Sequence, residues 1–145
     1  MPTVASLQIA TATRLPMRTV PSVEVEAGKG IVGDRYHGTK HRHVTVQSRE
    51  TLDEAGRAYG AAIASERTRR NVTVDEGRVP HAPGSRIRIG GVLLEVVRVA
   101  APCKLLDDTI GRGAQVALRH RGGSVCRVLE SGVVAVGDPV DLAAT

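Results

Sequence analysis

The chain has 145 residues, a net charge of +5, and 41% hydrophobic and 24% charged residues, a balance that predicts one folded domain over 1–145 with a substantial core and excludes disorder. Phe and Trp are absent and Tyr occurs twice. The core must therefore be aliphatic, and single-stranded nucleic acid, whose bases stack on aromatic rings, is disfavoured as a partner. The basic balance points instead to an anionic ligand such as a phosphate or an acidic small molecule.

The opening stretch MPTVASLQIATATRLP lacks a charged segment followed by a long apolar run, so no signal peptide is expected. No apolar stretch reaches membrane-spanning length. Two cysteines without a secretion signal read as reduced thiols. Together these features predict a cytoplasmic protein with no membrane partner.

In chain order, Val4 to Ala12 reads as a first strand and Arg14 to Pro21, with two prolines, as irregular. Val23 to Val25 is a short strand. The stretch AGKGIVGDRYHGTKHRH is rich in Gly, His and cations and reads mostly as loop. His43 to Gln47 alternates like a strand. Ser48 is a good N-cap, Leu52, Ala55 and Tyr59 share one helical face, and Gly60 is a stop signal. Ala61 to Arg70 is helical or irregular, and Asn71 to Val74 is another strand. Arg86 to Ile89 and Val92 to Val99, joined by Gly90-Gly91, form a β-hairpin. Ala114 to Arg119 reads as a short helix, and Ser124 to Glu130, Val133 to Val136 and Val140 to Leu142 as closing strands. Many short strands with Gly/Pro turns and few helices predict a β-barrel-like domain.

Cys103 leaves the long hairpin strand between Pro102 and Lys104. The thiolate is the reactive form of cysteine and a neighbouring cation favours it, which Lys104 could supply. Cys126, among apolar strand residues, reads as packed and quiet. Gly28 to Gly33 matches GxGxxG, but no helix follows, so a glycine-rich turn is the better reading than a dinucleotide fingerprint. His37, His41 and His43 lack the spacing of a zinc site, and a hydrogen-bonding role fits them better. His81 and His120 read as loop residues. Arg67, Arg69 and Arg70 stand just before a strand, where guanidinium groups suit a phosphate.

These pieces, taken in order, resemble the MOSC domain, the module at the C-terminus of molybdenum-cofactor sulfurases. The motifs are GIVGDRYHG at Gly30, HVTVQS at His43, RRN at Arg69, GSRIRIGGVLLEV at Gly84, Pro102-Cys103, RGG at Arg121 and SGVVAVGDPV near the end. The resemblance spans about Val23 to Leu142. It implies a mainly β fold of MOSC-type β-barrel architecture with a few short helices, and a role with molybdenum cofactor (molybdopterin). Cys103 matches the reactive cysteine that ligates molybdenum or carries sulfur. Arg69 and Asn71 match the R-x-N motif at the pterin phosphate. Asp34, Arg35, His43 and Ser48 fall in segments near the expected pocket, beside Lys104.

The sequence holds no aminotransferase-like sulfurase domain and no extra N-terminal barrel of the amidoxime-reducing relatives, and it has Ala101 where many small relatives have Glu. Two functions share the same requirements. One is reduction of N-hydroxylated compounds, or sulfur or cofactor transfer, at Cys103. The other is a non-catalytic carrier that hands sulfur or cofactor to a partner enzyme. Either could involve an electron-donor or sulfur-donor protein.

Overall fold

A computed structural model describes residues 1–12, 15–102 and 105–145. The chain is mainly β. Its strands are β1 (Val4–Ile9), β2 (Arg18–Val20), β3 (Ser22–Glu26), β4 (Gly30–Ile31), β5 (Val44–Ser48), β6 (Val72–Val74), β7 (Arg86–Ile89), β8 (Val92–Val99), β9 (Ser124–Glu130), β10 (Gly132–Ala135) and β11 (Val140–Ala144). The helices are α1 (Arg49–Tyr59), α2 (Leu105–Thr109) and α3 (Ala114–Ala117), with a 3-10 turn at Ser65–Arg67.

Eight strands form one sheet in the order β11-β7-β8-β9-β5-β6-β1-β2, and β10-β3-β4 form a second. The expected β7–β8 hairpin is present, with Ile89 opposite Val92 and Gly90 at φ +56° supplying the left-handed turn residue. Alternation sends Ile87, Ile89, Leu94 and Val96 into a core shared with Leu7, Val46, Val72 and Val128, and with Val23, Ile31 and Val134 of the second sheet. At 25–30 cal/mol per Å² of buried apolar surface, such an aliphatic core needs no aromatic residues.

The larger sheet does not close into a hydrogen-bonded barrel. Its β11 end reaches β1 at a single bridge, Thr3 to Pro139, with the Val140 N–H donating to the Pro2 carbonyl at 2.8 Å. β1 is already paired on both sides: β2 takes Leu7 to Ile9, and β6 takes Val4 to Leu7. Only the first residues of β1 remain for the closing contact. The strand β2 itself departs from the irregular reading of its sequence. Its three residues lie between Pro16 and Pro21 and pair only with β1, and short edge strands tolerate flanking prolines.

Helix α1 begins and ends where its sequence signals say. The Ser48 hydroxyl accepts the Thr51 N–H at 3.3 Å, and Gly60 adopts φ +97° while its N–H donates to the Gly56 carbonyl. Its apolar face, Leu52 and Ala55, joins Ile63, Leu106 and Leu118 in a second buried cluster outside the sheet. That cluster anchors α2 and α3 to α1.

Gly123 lies where the chain enters β9. It has φ +85°, and a Cβ there would stand 1.8 Å from the Val46 carbonyl oxygen, an impossible approach to backbone. Gly122 differs: its Cβ would meet nothing nearer than the Ala100 oxygen at 3.4 Å. Gly123→Ala is therefore expected to cost more than about 4 kcal/mol, while Gly122→Ala stays within about 1 kcal/mol. Urea unfolding of both variants checks this, and equal losses would contradict it.

Candidate functional site

The RRN segment departs from regular backbone just before β6. Arg69 is a non-glycine residue at φ +65°. This turn sends consecutive side chains to different places. The Arg69 guanidinium donates to the Leu15 carbonyl at 2.7 Å, and its own carbonyl accepts from Arg35 at 3.2 Å. The Arg70 guanidinium donates to the carbonyls of Gly122 and Ala101, both at 3.1 Å. Arg69 and Arg70 are each more than nine-tenths buried.

Asn71 repairs the ladder that this turn interrupts. Its side-chain oxygen accepts the Thr45 N–H and hydroxyl, both at 3.1 Å, and its side-chain nitrogen donates to the Gln8 carbonyl at 3.1 Å. The main chain adds Asn71 N–H to the Thr45 hydroxyl and Gln8 N–H to the Asn71 carbonyl. The carboxamide thus does for β5 and β1 what a further main-chain peptide of β6 would do.

Asp34 and Arg35 join this network from the glycine-rich loop. Asp34 accepts the Ala10 N–H at 3.1 Å, the Tyr36 N–H and the Arg35 guanidinium, and its side chain is fully buried. Arg35 spans Asp34, the Arg69 carbonyl and the Met17 sulfur, and lies 4.5 Å from the centre of the Tyr36 ring, with Arg42 at 4.3 Å. His43 is buried, with Nδ1 accepting the Val128 N–H at 3.0 Å and Nε2 donating to the Thr39 carbonyl at 2.7 Å. Those two bonds fix one neutral tautomer and engage both ring nitrogens. Ser48 is wholly buried, capping α1 and donating to the Gly77 carbonyl at 2.5 Å.

Cys103 and Lys104 lie outside the described residues, but both flanks of that connection are fixed. Before it, Arg70 holds the Ala101 carbonyl and the Gln115 side chain donates to the Pro102 carbonyl at 3.3 Å. After it, Leu106 is buried in the second cluster, Thr109 and Arg67 exchange hydrogen bonds at 3.3 Å, and Asp107 accepts the Gln115 N–H. The RRN and Pro-Cys motifs, about 30 residues apart in sequence, are thereby bound to each other.

Two clefts flank the connection. One, of about 390 Å³, is lined by Pro16, Met17, Glu66, Arg67, Arg69 and Thr109. The other, of about 380 Å³, is lined by residues 99–102 on one side and Gln115, Arg119 and His120 on the other. The network thus gathers Arg69, Asn71, Asp34 and Arg35, whereas His43 sits at the opposite end of β5 from Ser48. Sequence reasoning did not single out Gln115, Thr109 or His120. The signal for His120 was its place between a helical stretch and Arg-Gly-Gly, where a chain reversal favours glycine.

Cys126 is fully buried in β9, and burial pushes its thiol from 9.0 up to about 12, so it stays protonated and inert near neutral pH. Among the described residues no three His, Cys, Asp or Glu side chains group to hold a metal ion. No helix among them is long and apolar enough to cross a membrane.

The chain belongs to the MOSC domain family, which residues 33–141 match. No curated protein is significantly similar to it in sequence. Among solved structures, the YUAD protein of Bacillus subtilis is similar with a TM-score of 0.83 at 23% identity, covering 97% of this chain and 94% of that one. YiiM of Geobacillus stearothermophilus gives 0.74 at 16% identity over 97% and 74% of the two chains. YiiM of Escherichia coli gives 0.68 at 19% identity over 99% and 70%. At these identities the likeness establishes the shared fold.

Asn71→Ala strands the buried Thr45 N–H and Gln8 carbonyl, so it is expected to lower unfolding free energy by about 2–4 kcal/mol. Asn71→Asp keeps the acceptor but cannot donate to the Gln8 carbonyl and buries a carboxylate against it, so it should lose at least as much. Chemical denaturation of the two variants measures both. A loss within about 0.5 kcal/mol for Asn71→Ala would contradict the cross-link.

Proposed function

We propose that this chain binds molybdenum cofactor between its two motifs and acts on N-hydroxylated compounds, reducing them. In this reading the Cys103 thiolate is the soft ligand for the metal, and Arg69 with Arg67 receives the pterin phosphate. The observation that carries the reading is the Arg70 hydrogen bond to the Ala101 carbonyl, which ties the Arg69–Asn71 segment to the chain just before Cys103.

The residues present fit such a group by their chemistry. The cleft beside Arg69 offers two guanidinium groups suited to a phosphate, with the Glu66 carboxylate as its one acidic lining residue. The Arg69 guanidinium is held by its hydrogen bond to the Leu15 carbonyl. Lys104, next in sequence to Cys103, favours the thiolate. When bound, the cofactor supplies a metal centre able to pass electrons to a substrate. The chain's own part is to hold the phosphate, to present the thiolate on a connection anchored at both ends, and to leave a second cleft open at Pro102. That open cleft favours an enzyme over a carrier, since a carrier needs no place for a second small molecule.

Arg69→Ala should weaken cofactor binding by about 1.5–3 kcal/mol, the range for a charge-assisted hydrogen bond, and the loss should shrink as salt rises. Cys103→Ser should retain pterin while losing the metal–sulfur bond and all turnover of an N-hydroxylated base with an added electron donor. Thermal melts of both variants, run alongside, separate lost binding from lost folding. Full activity in Cys103→Ser, or parental affinity in Arg69→Ala at low salt, would contradict the assigned roles. Cofactor binding without any turnover by the parent would leave the carrier function.

A further inference from the structure

The second cleft has a division of surfaces that the reading above does not use. Residues 99–102 give it an aliphatic strip, Val-Ala-Ala-Pro, running to the residue before Cys103. Gln115, Arg119 and His120 complete its lining, and no acidic residue is among the lining residues. Most buried or half-buried arginines of this chain are committed: Arg35 to Asp34, Arg49 to Asp53, Arg70 to two carbonyls, and Arg121 to the Ala117 carbonyl. Among the described residues, neither the Arg119 guanidinium nor the His120 imidazole has a hydrogen-bond or ion-pair partner, and both are exposed at the cleft.

The backbone at His120 gives independent support. His120 follows the short helix α3 at φ +61°, and the next N–H, of Arg121, donates back to the Leu118 carbonyl at 2.9 Å. This is the left-handed helix-end position that glycine fills without strain. A side chain with a Cβ costs about 1–2 kcal/mol there, and such strain persists where the side chain has a use. Gln115 bears on the same wall, because its amide holds the Pro102 carbonyl and so fixes the aliphatic strip relative to the polar lip. The Arg119 guanidinium supplies a fixed positive charge at this end of the cleft, which favours an incoming negative group.

We infer that the cleft lined by residues 99–102, Gln115, Arg119 and His120 binds a flat organic ring bearing a carboxylate or phosphate, the ring against the aliphatic strip and the anion at Arg119 and His120. This rests on the function proposed above only in naming that ligand a substrate. The binding itself requires no cofactor. The cleft's volume holds a ring of six to nine atoms with its anionic substituent, within the lower range of small-molecule pockets.

The test is a proton NMR titration of the full chain with phenyl phosphate, benzoate, benzyl alcohol and inorganic phosphate, read on the His120 imidazole signals and the ligand's ring protons. The His120 signals are assigned by their loss in His120→Gly. Phenyl phosphate and benzoate should shift them saturably, and the stronger of the two identifies the preferred anion. Benzyl alcohol and inorganic phosphate should each bind about tenfold more weakly, since each lacks one half of the recognition. Arg119→Gln should weaken phenyl phosphate by about tenfold. His120→Gly should weaken it too while melting no lower than the parent, because it relieves the left-handed strain. The titration is run on protein without cofactor, so failure of the cofactor reading leaves it untouched and the two failures are separately visible. Equal affinity for benzyl alcohol and phenyl phosphate, or for inorganic phosphate and phenyl phosphate, or an Arg119→Gln variant that binds like the parent, would overturn the inference.

Discussion

The side chain of Asn71 is the point on which the site depends. Where the backbone turns through the left-handed region at Arg69, the main-chain pairing that β6 makes with β1 and β5 comes to an end. Buried peptide groups left unpaired are costly. The Asn71 carboxamide takes over, accepting from Thr45 on β5 and donating to Gln8 on β1. Because that repair is made by a side chain, the main chain is free to project two consecutive arginines. The asparagine carboxamide provides the acceptor for Thr45 and the donor for Gln8 on a short stem.

From that turn the two arginines organise different halves of the molecule. Arg69 reaches the Leu15 carbonyl and the cleft beside Arg67 and Thr109. Arg70 reaches the carbonyls of Ala101 and Gly122, tying together the chain that leaves β8 and the chain that enters β9. The second apolar cluster completes the frame, since Leu106 and Leu118 seat α2 and α3 against Leu52 and Ala55 of α1. The segment carrying Cys103 is thus anchored on both sides by elements that fold for their own reasons. The positive charge of the chain is not spread evenly in its effect. Arg35 and Arg70 are consumed in buried bonds, Arg88 and Arg127 are offset by Glu130 and Glu95 on the outer sheet face, and Arg119 is left to face a cleft.

Much of this was legible in the residues. Ser48 and Gly60 mark the ends of α1, Gly90-Gly91 marks the hairpin, and alternation marks β5, because each signal is local. The ordered motifs identified the family. What local signals could not supply was pairing. Strand β2 exists because β1 offers it an edge, not because Arg18-Thr19-Val20 demands it, and α2 exists because Leu106 has a cluster to enter. Closure of the sheet into a barrel could not be judged either, since it turns on β2 occupying the edge of β1. At the site, the motif brought Asn71 forward, but its place between three strands emerges only in three dimensions. Likewise His43 and Ser48 hold loop and helix with every polar atom engaged, while His120, which reads as loop, proves to be a strained residue on a cleft wall.

The central claim is that the Arg69–Asn71 turn and the Cys103 connection together hold a molybdenum-bearing pterin. The most direct measurement is the molybdenum and pterin content per chain of the protein purified from a host able to make the cofactor. The account predicts molybdenum and pterin phosphate in equal amounts, travelling with the protein through gel filtration. Protein that emerges with neither, and that takes up none when incubated with cofactor released from another molybdoenzyme, would contradict it.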